Sequence, residues 1–480
     1  MFCPYIWVFD MGVAISNTEF CASAHFRHLI QFKAPYLLQA VFAGVGDYYT
    51  CRFAKRVVGP WISPMILFST LTSWFNFHNA VRPLSNSLEM VLTVVALYHW
   101  PLPGVIAETD VRWRRSLLIA LVWAALSCVI RPTNGIVWLY LGVHLLWNCP
   151  TRRLVILTDT ILVMMLTVAT VLALDTYFYT GSLSTLLTKP IITPLNFLRI
   201  NVFNSIAIFY GIHSWHWYLT QGLPVLLTTF VPFFIFGIHL SRIDPALRSR
   251  TIPLSHLITF VILIYSLLPH KEFRFIYPLL PTLLLFSSIG LHNLSQKHKR
   301  LAMIALLLTN IPMALYTSIW HQRGVVDVMR WVRERVEPGM DVDFLMPCHS
   351  TPWYSEVHDK RIRMRFLECE PPLDPTDSNY MDEADIFYAA PRRFLLDRYD
   401  GALAKDSTQG RPWPTHLVMF ETLLEMEDGH GSLRGLLLEE GDSENGMYRE
   451  CARFFNTHFN GDWRRKGDVL MLCRKDMGTN

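Results

Sequence analysis

Charge is scarce in this chain of 480 residues, since Asp, Glu, Lys and Arg make up 17% of it, against about 25% in ordinary soluble domains. Acidic residues are scarcest in residues 1–320, which hold 10 Asp and Glu against 22 Lys and Arg, a net charge of +12. Residues 321–480 hold 29 acidic and 21 basic residues, a net charge of −8. With 51% hydrophobic residues and a mean hydropathy of +0.26, the composition excludes a disordered chain and disfavours a soluble enzyme.

Several familiar motifs are missing from the sequence. It has no P-loop, no GxGxxG and no HExxH, which disfavours a nucleotide-binding loop, a dinucleotide cofactor and a zincin-type metal site. The polar part has no basic face, so nucleic acid is not an expected partner. We therefore expect no metal and no cofactor beyond a donor substrate.

Long apolar runs dominate the first two thirds of the chain, and a spanning helix needs about 17–25 apolar residues. The clearest runs are 61–79, 154–174, 224–240, 252–269, 275–292 and 301–320, with shorter ones at 35–50, 88–103, 116–130 and 136–148. Buried helices of a large soluble protein are the alternative, but six long runs with so few charges disfavour it. The sequence predicts a mainly α, polytopic membrane protein with about ten transmembrane helices.

Basic loops fix the expected orientation, because Lys and Arg favour the cytoplasmic side. They are Arg52/Lys55/Arg56, Arg112/Arg114/Arg115, Arg152/Arg153, Arg242/Arg248/Arg250 and Lys297/Lys299/Arg300. Two predicted spans separate each of these loops from the next, so all five can face the cytosol together. The loops between them, and residues 321–480, then face the opposite compartment.

The most unusual of those opposite loops holds His270, Lys271, Glu272 and Arg274 between two predicted spans. A bare turn would need only small or turn-forming residues. Arg and Lys can bind phosphate oxygens, with Arg offering a planar fork, and Glu272 can accept a sugar hydroxyl or hold Arg274. The alternative is a charged turn that marks the membrane boundary, but positive turns mostly lie on the other side.

Aromatic and further basic residues occur in neighbouring loops of the same face. The candidates for sugar contacts are His213, Trp215, His216, Trp217 and Gln221, with an interfacial aromatic belt as the alternative. Arg82, seven residues before Glu89, is a further substrate-binding candidate, with an ordinary surface pair as the alternative. Arg131 precedes Pro132 in a turn. Arg131 is a candidate phosphate ligand; a snorkelling Arg is the alternative.

Two functional classes remain open from these residues alone. One is an enzyme that acts on a lipid-linked or phosphorylated substrate at this face, and the other is a transporter or a membrane scaffold. A transporter is expected to carry its charged sites near the membrane midplane. The charges here cluster at helix ends, which favours the enzyme.

The polar part, residues 321–480, has strand-like runs at Val342–Met346, His416–Phe420 and Val469–Cys473 and a helical stretch at 324–336. A small α/β domain is therefore expected here. Of nine cysteines in the chain, Cys348, Cys369, Cys451 and Cys473 lie in this part. They can form up to two disulfides in an oxidising compartment, although free thiols and the pairing both stay open.

The run HKEFRFIYP at His270–Pro278 resembles the signature of glycosyltransferase family 22, the lumenal mannosyltransferases that use dolichyl phosphate mannose. The runs FYGIHSWHWYLTQGLP (209–224), HQRGVVDVM (321–329), MPCHSTPWYSEVH (346–358) and DEADIFY (382–388) are similar to the members that add a third mannose to glycosylphosphatidylinositol (GPI) precursors. The resemblance covers about residues 35–475.

The resemblance implies a GT-C fold in the endoplasmic reticulum (ER) membrane, with the active site and a C-terminal α/β domain in the lumen. It implies α-1,2 transfer of mannose from dolichyl phosphate mannose to a GPI precursor that carries two mannoses on glucosaminyl-(acyl)phosphatidylinositol. The implied domains are a lumenal N-terminal remnant at 1–34, a membrane domain at 35–320 and a lumenal domain at 321–480. Among the candidates, Arg274, Lys271 and Arg131 would hold the phosphate.

One departure from the family lies at the start, because residues 1–34 contain no Pro-Asp-Glu motif. In the family, the carboxylate of that lumenal loop is the expected catalytic base, so the base is not identified here. We expect the chain as written not to restore the third mannose, and a form with that loop to do so. The alternatives are an inactive truncated paralogue, a scaffold of GPI assembly, or a related mannosyltransferase acting on lipid-linked oligosaccharides.

Overall fold

The structure is a computed structural model that describes residues 30, 33–203, 206–359, 361–372, 380–400, 412–429, 431–438 and 446–475. Nearly all of the predicted remnant at 1–34 lies outside these residues. The chain forms two compact units, Met1–Ala314, called the membrane unit, and Leu315–Asn480, called the C-terminal unit.

The described part of the membrane unit is mainly helical. Its helices are α1 (Ala34–Val57), α2 (Ser63–Thr72), α3 (Trp74–Ala80), α4 (Ser85–His99), α5 (Trp113–Ile130), α6 (Gly135–Asn148), α7 (Arg153–Thr180), α8 (Thr193–Leu198), α9 (Leu223–Leu227), α10 (Val231–Ile243), α11 (Pro245–Leu267), α12 (Leu280–His292) and α13 (Gln296–Leu315). The predicted apolar runs fall mainly on these helices.

Six helical stretches of the described chain are long and apolar enough to cross a membrane, and a bent pair makes a seventh if it counts as one span. They are Trp113–Ile130, Pro150–Thr180, Tyr218–Ile243, Pro245–Leu267, Phe273–His292 and Gln296–Glu334. The bent pair is α3 and α4, which meet at an angle of 111°.

The prediction of one continuous span at 61–79 was wrong. The chain leaves helical geometry at Ser73, where the backbone is extended and the hydroxyl accepts a hydrogen bond from the amide of Asn76. Ser73 thus caps a new helix, α3, and divides the run into α2 and α3. Hydropathy cannot reveal such a break, because capping changes the backbone direction without adding charge.

Basic segments meet at one end of the helices. The guanidinium of Arg56 donates to the carbonyl of Tyr98 and, at 3.3 Å, to the hydroxyl of Ser116. Arg114 forms two hydrogen bonds of 2.8 and 2.9 Å with the buried carboxylate of Asp159. The first residues of α4 and the last of α5 lie at the other end, about 22 Å away along the 15 residues of α4.

Helices α10 and α12 pack in direct backbone contact. A Cβ added at Gly237 would lie 1.8 Å from the carbonyl oxygen of Phe286, and one added at Gly290 would lie 2.1 Å from that of Phe233. The two backbones therefore touch, as small residues permit between membrane helices. This contact holds α12, which directly follows the segment of His270–Arg274 and its short helix, against the bundle.

The C-terminal unit contains a five-stranded mixed sheet in the order β2-β1-β3-β7-β6, in which β1 runs parallel to β2 and β3 while β7 is antiparallel to β3 and β6. The strands are β1 (Asp341–Leu345), β2 (Arg363–Phe366), β3 (His416–Phe420), β4 (Glu427–Asp428), β5 (Gly431–Ser432), β6 (Tyr448–Phe454) and β7 (Val469–Arg474). The helices are α14 (Gly324–Glu334), α15 (Trp353–Glu356), α16 (Glu383–Ala389), α17 (Pro391–Leu395) and α18 (Leu433–Leu437). The three strand-like runs and the helical stretch predicted from the sequence are confirmed.

Apolar side chains cover both faces of this sheet. Val342, Phe344 and Val418 point to one core, and Leu345, Leu417 and Met419 to the other. Two disulfides resolve the open question of cysteine pairing: Cys348 pairs with Cys369, and Cys451 pairs with Cys473. The second joins the neighbouring strands β6 and β7.

Substituting Gly237→Ala is expected to destabilise the membrane unit, because the added methyl group overlaps the carbonyl of Phe286. Overpacking of this kind typically costs about 1–3 kcal/mol. Gly142→Ala is the matched control, since a Cβ at Gly142, inside α6, meets nothing within 4 Å. Thermal unfolding followed in detergent should show a lower midpoint for the first variant alone, and equal midpoints would contradict the backbone contact.

Candidate active site

The segment between α11 and α12 is organised around Glu272. Its carboxylate accepts a hydrogen bond of 2.8 Å from Nη2 of Arg274, whose Nε is also ion-paired with it, and lies 3.3 Å from Nε2 of His270. Burial raises the pKa of Glu272, but the hydrogen bonds and charges of His270 and Arg274 outweigh burial and lower this pKa to about 2. Glu272 is therefore ionised at neutral pH.

His270 bridges two loops in its charged form. Its Nδ1 lies 3.2 Å from the carbonyl oxygen of Gly211 and its Nε2 contacts Glu272. Both partners are acceptors only, so both ring nitrogens must donate, which only the imidazolium can do. The hydrogen bond with Glu272 accordingly raises the pKa of His270.

Lys271 is buried, with 3% of the residue exposed. Its ammonium donates to the carbonyl oxygens of His213, at 3.0 Å, and of Leu268, while the amide of His213 donates to the carbonyl of Pro269 at 3.0 Å. These bonds tie the loop of 211–213 to the loop of 268–271. Lys271 thus fits a positioning role better than the phosphate-binding role expected from the sequence.

The aromatic candidates divide into buried and exposed residues. Trp217 is 6% exposed and packs between His213 and Phe273, with ring centroids 5.0 and 4.7 Å away. Trp215 is 69% exposed, and His216 and Gln221 are exposed as well. Trp217 therefore belongs to the packing of the site, and the exposed side chains are the ones free to meet a ligand.

A second cluster surrounds Glu89, which is 1% exposed in α4. Its carboxylate lies 3.1 Å from Nε of Arg131 and accepts hydrogen bonds from Asn134, at 2.9 Å, and Asn86, at 3.3 Å. Asn134 is itself held by Ser127 at 2.7 Å. The sequence marked Glu89 only by its spacing from Arg82, because spacing alone cannot show that the fold brings Glu89, Arg131 and Asn134 together.

Phe275 connects the two clusters. The guanidinium of Arg131 lies 5.4 Å from the centre of the Phe275 ring, a cation–π contact. Tyr218 packs near Tyr265, which in turn contacts Phe275, and the Tyr218 hydroxyl donates to the carbonyl of Glu272 at 3.4 Å. The structure therefore brings Arg131, His213, Trp217, His270, Lys271, Glu272 and Arg274 together.

Arg82 lies apart from these contacts. It is exposed in the bend between α3 and α4. Among the described residues, none of the hydrogen bonds, ion pairs or ring contacts that join the two clusters involves its side chain. Only its spacing from Glu89 in the sequence therefore links Arg82 to the site.

The site offers two arginines whose binding capacity is only partly used. Arg274 has a side chain 39% exposed, and that of Arg131 is 14% exposed. A guanidinium has five N–H donors, so each retains donors after pairing with its carboxylate. Such an arrangement can hold a phosphate ester and stabilise negative charge as that ester leaves.

Glu272 is poorly suited to act as a general base. It is paired with Arg274, and a pKa of about 2 makes it a weak proton acceptor at neutral pH. No group of three His, Cys, Asp or Glu side chains in the described part of the chain has the spacing to hold a metal ion. The two clusters thus supply binding and charge stabilisation, and Glu272 is not a suitable base.

Comparison with known sequences shows the family of the chain. The sequence model of the Alg9-like mannosyltransferase family matches residues 5–358. The chain belongs to this family. It is a glycosyltransferase, and its family members are mannosyltransferases, so the resemblance seen in the HKEFRFIYP run is confirmed.

Within this family, the chain is similar to proteins named GPI mannosyltransferase 3. A GPI mannosyltransferase 3 of Yarrowia lipolytica is 37% identical over 91% of this chain and 81% of its own length. One of Debaryomyces hansenii is 33% identical over 94% and 79%, and the GPI alpha-1,2-mannosyltransferase 3 of Mus musculus is 36% identical over 88% and 71%.

The fold also has a solved counterpart. ArnT from Cupriavidus metallidurans, in the apo state, aligns with a TM-score of 0.51 over 98% of this chain and 86% of its own, at 12% identity. At this identity the likeness concerns the fold, which is the GT-C type. Together with the apolar helices, it identifies the chain as a multi-pass membrane protein.

Glu89→Gln is expected to lower the folded yield, because it leaves the buried guanidinium of Arg131 without a counter-ion. Breaking a buried ion pair from one side costs about 3–5 kcal/mol. The double variant Glu89→Gln with Arg131→Met should recover yield, since no charge then stays unpaired. The measurement is the fraction of monodisperse protein after detergent extraction. The control is Glu108→Gln, because Glu108 is partly exposed and accepts a hydrogen bond from Thr151. A double variant no better than the single would contradict the ion pair.

Glu272→Gln is expected to destabilise the protein in a pH-dependent manner. The pKa of His270 lies above its ordinary value of 6.5, so its pairing with Glu272 stabilises the fold below 6.5 and is lost as pH rises through the raised pKa. The pKa of Glu272 lies below its ordinary value of 4.5, at about 2, so its contribution is present above 4.5.

The difference in thermal midpoint between the parent and Glu272→Gln should therefore be largest between pH 4.5 and 6.5 and should shrink above the pKa of His270. The ion pair with Arg274 leaves a residual difference at high pH. In a His270→Asn background the decline above pH 6.5 should vanish. The same decline with and without His270 would refute its assignment as the titrating partner.

Proposed function

We propose that this protein transfers mannose in α-1,2 linkage from dolichyl phosphate mannose to a GPI precursor that already carries two mannoses. The observation that carries the proposal is the pair of partly free arginines, Arg131 and Arg274, in a chain whose relatives bear the names of GPI mannosyltransferases. The donor would be a lipid-linked sugar phosphate. ArnT from Cupriavidus metallidurans has also been solved bound to undecaprenyl phosphate, another polyprenyl phosphate.

The reaction would proceed by a single displacement. The acceptor's 2-hydroxyl oxygen bonds to the anomeric carbon of mannose as the bond to the phosphate oxygen breaks. The phosphate leaves with the electron pair, and a general base takes the hydroxyl proton. The donor is β-linked, so one displacement inverts it to the α product.

Arg274 and Arg131 would stabilise the leaving phosphate, because their free N–H groups are fixed by Glu272 and Glu89 before the substrate arrives. Fixed donors stabilise developing charge without reorganising during the reaction. His270, as imidazolium, adds a third positive charge beside Glu272. Lys271 would position this site by holding the loop of His213. Arg82 would contribute to binding only if it contacts the acceptor.

Sugar recognition is assigned to the exposed side chains near His213. Trp215 offers an open aromatic face, and His216 and Gln221 offer hydrogen-bonding groups. Aromatic faces and polar side chains of this kind suit the alternating apolar and hydroxyl surfaces of a mannose. Trp217 would support these residues from the packed interior.

The proposed compartment is the ER, with this site and residues 321–480 in the lumen and residues 35–320 in the membrane. The gathering of basic segments at the opposite helix ends supports a cytosolic location for those ends. The two disulfides of the C-terminal unit suit an oxidising lumen. None of these observations favours the scaffold, the inactive paralogue or a lipid-linked-oligosaccharide enzyme.

The test uses cells that accumulate the two-mannose GPI precursor because the third mannose is not added. The chain is expressed as written and, separately, preceded by a Pro-Asp-Glu-type lumenal loop. Lipid extracts are examined by mass spectrometry, and the product is digested with an α-1,2-specific mannosidase. The extended form should convert the precursor to a three-mannose product that this enzyme trims.

Arg274→Ala in the extended form should abolish the product while the protein stays in the membrane. Arg112→Ala is the matched control, because Arg112 also pairs with a carboxylate two residues earlier, Asp110, but lies among the basic segments at the other helix ends. An unconverted precursor with the extended form, or a product resistant to the mannosidase, would refute the proposed function. Equal activity of the two variants would refute the role of Arg274.

A further inference from the structure

One loop of the C-terminal unit exposes an unusual set of aromatic side chains. The aromatic loop, residues 455–463, follows β6 and carries Phe455, Phe459 and Trp463, which are 40%, 76% and 48% exposed. Single exposed apolar residues are common on soluble surfaces, but clustered ones usually mark a contact surface. The candidate site does not use these residues.

Hydrogen bonds attach this loop to the turn that follows α13. The hydroxyl of Tyr316 lies 3.2 Å from Nδ1 of His458 and accepts from the His458 amide at 3.3 Å. Nδ1 of His321 lies 2.8 Å from the hydroxyl of Thr457. The amide of Arg323 donates to the carbonyl of Asn456 at 3.1 Å. The loop is therefore held beside residues 316–323.

Gly324 keeps this attachment close. A Cβ at Gly324 would lie 2.9 Å from the carbonyl oxygen of Phe454 and 3.0 Å from that of Phe455. Only a residue without a side chain lets the first turn of α14 approach the backbone at the start of the aromatic loop this closely. The position of the loop relative to residues 323–324 is thus set by backbone contacts.

The chain leaves the apolar stretch at this point. Ile319 and Trp320 are each 45% exposed, and the polar residues His321, Gln322 and Arg323 follow. In a membrane protein this change marks the edge of the hydrocarbon layer, where Trp and Tyr concentrate. A loop bonded to residues 316–323 must lie at a similar depth, and the exposed Lys466 just beyond it suits the phosphate of lipid headgroups.

We propose that the aromatic loop rests in the membrane surface, with Phe455, Phe459 and Trp463 entering the headgroup region of the leaflet that receives the end of the last span. The binding partner is the lipid bilayer itself, through apolar contact with the upper acyl chains and contact of Lys466 with headgroup phosphates. The loop thereby anchors the C-terminal unit on the membrane by a second point besides its covalent link.

The test places the photoreactive residue p-benzoylphenylalanine at position 459 in the full chain, reconstituted in lipid nanodiscs of phosphatidylcholine and phosphatidylserine. After irradiation, peptides are searched for lipid adducts by mass spectrometry. Phe366 is the matched control, because it is also an exposed phenylalanine, 49% accessible, but lies on β2, the sheet edge opposite β6. Lipid adducts should be several-fold more abundant at 459 than at 366.

Equal adduct yields at the two positions, or crosslinks from 459 to protein in place of lipid, would overturn the proposal. Because Phe459 is exposed, the substitution should not disturb folding, and retention of the Cys451–Cys473 disulfide on non-reducing analysis checks this. In a second variant, Phe459→Asp with Trp463→Asp, a protease added to the lumenal face should cleave the loop faster than in the parent. Unchanged protease sensitivity in membranes would also contradict the proposal.

Discussion

The architecture of the site depends on one buried ion pair, that of Glu89 with Arg131. A charge inside an apolar bundle is tolerated only when it is paired and hydrogen-bonded. Here the side-chain amides of Asn86 and Asn134 donate hydrogen bonds to the Glu89 carboxylate, and the Ser127 hydroxyl donates to the side-chain oxygen of Asn134. The pair therefore fixes α4 against the end of α5 and places the Arg131 guanidinium over Phe275, at the entrance to the HKEFRF segment.

The cluster around Glu272 repeats this design under more exposed conditions. Glu272 orients Arg274 as Glu89 orients Arg131, but its arginine retains access to solvent. A cation that is oriented yet accessible suits a ligand that carries phosphate. The bonds from Lys271 to the backbone at 213 and 268 then hold the segment of Trp215 and Trp217 beside these charges.

Sequence patterns predicted much of this protein because hydropathy and charge act locally. The apolar runs became helices, the strand-like runs of the polar part became β1, β3 and β7, and the motif at His270 identified the family. The patterns failed at 61–79, because the cap at Ser73 redirects the backbone without a change in hydropathy. They could not show that the Lys271 ammonium donates to backbone carbonyls, because that contact depends on the fold of two separate loops.

The sequence by itself determined the membrane class, the split between apolar and polar parts, and the residue types available at one face. These follow from transfer of side chains out of water, a property of each segment alone. Only the tertiary structure decided which of those residues share a site, which cysteines pair, and that the arginines keep free donors. Those outcomes depend on contacts between segments far apart in the chain, such as Arg131 with Glu89 and Lys271 with His213, whose geometry no local pattern contains.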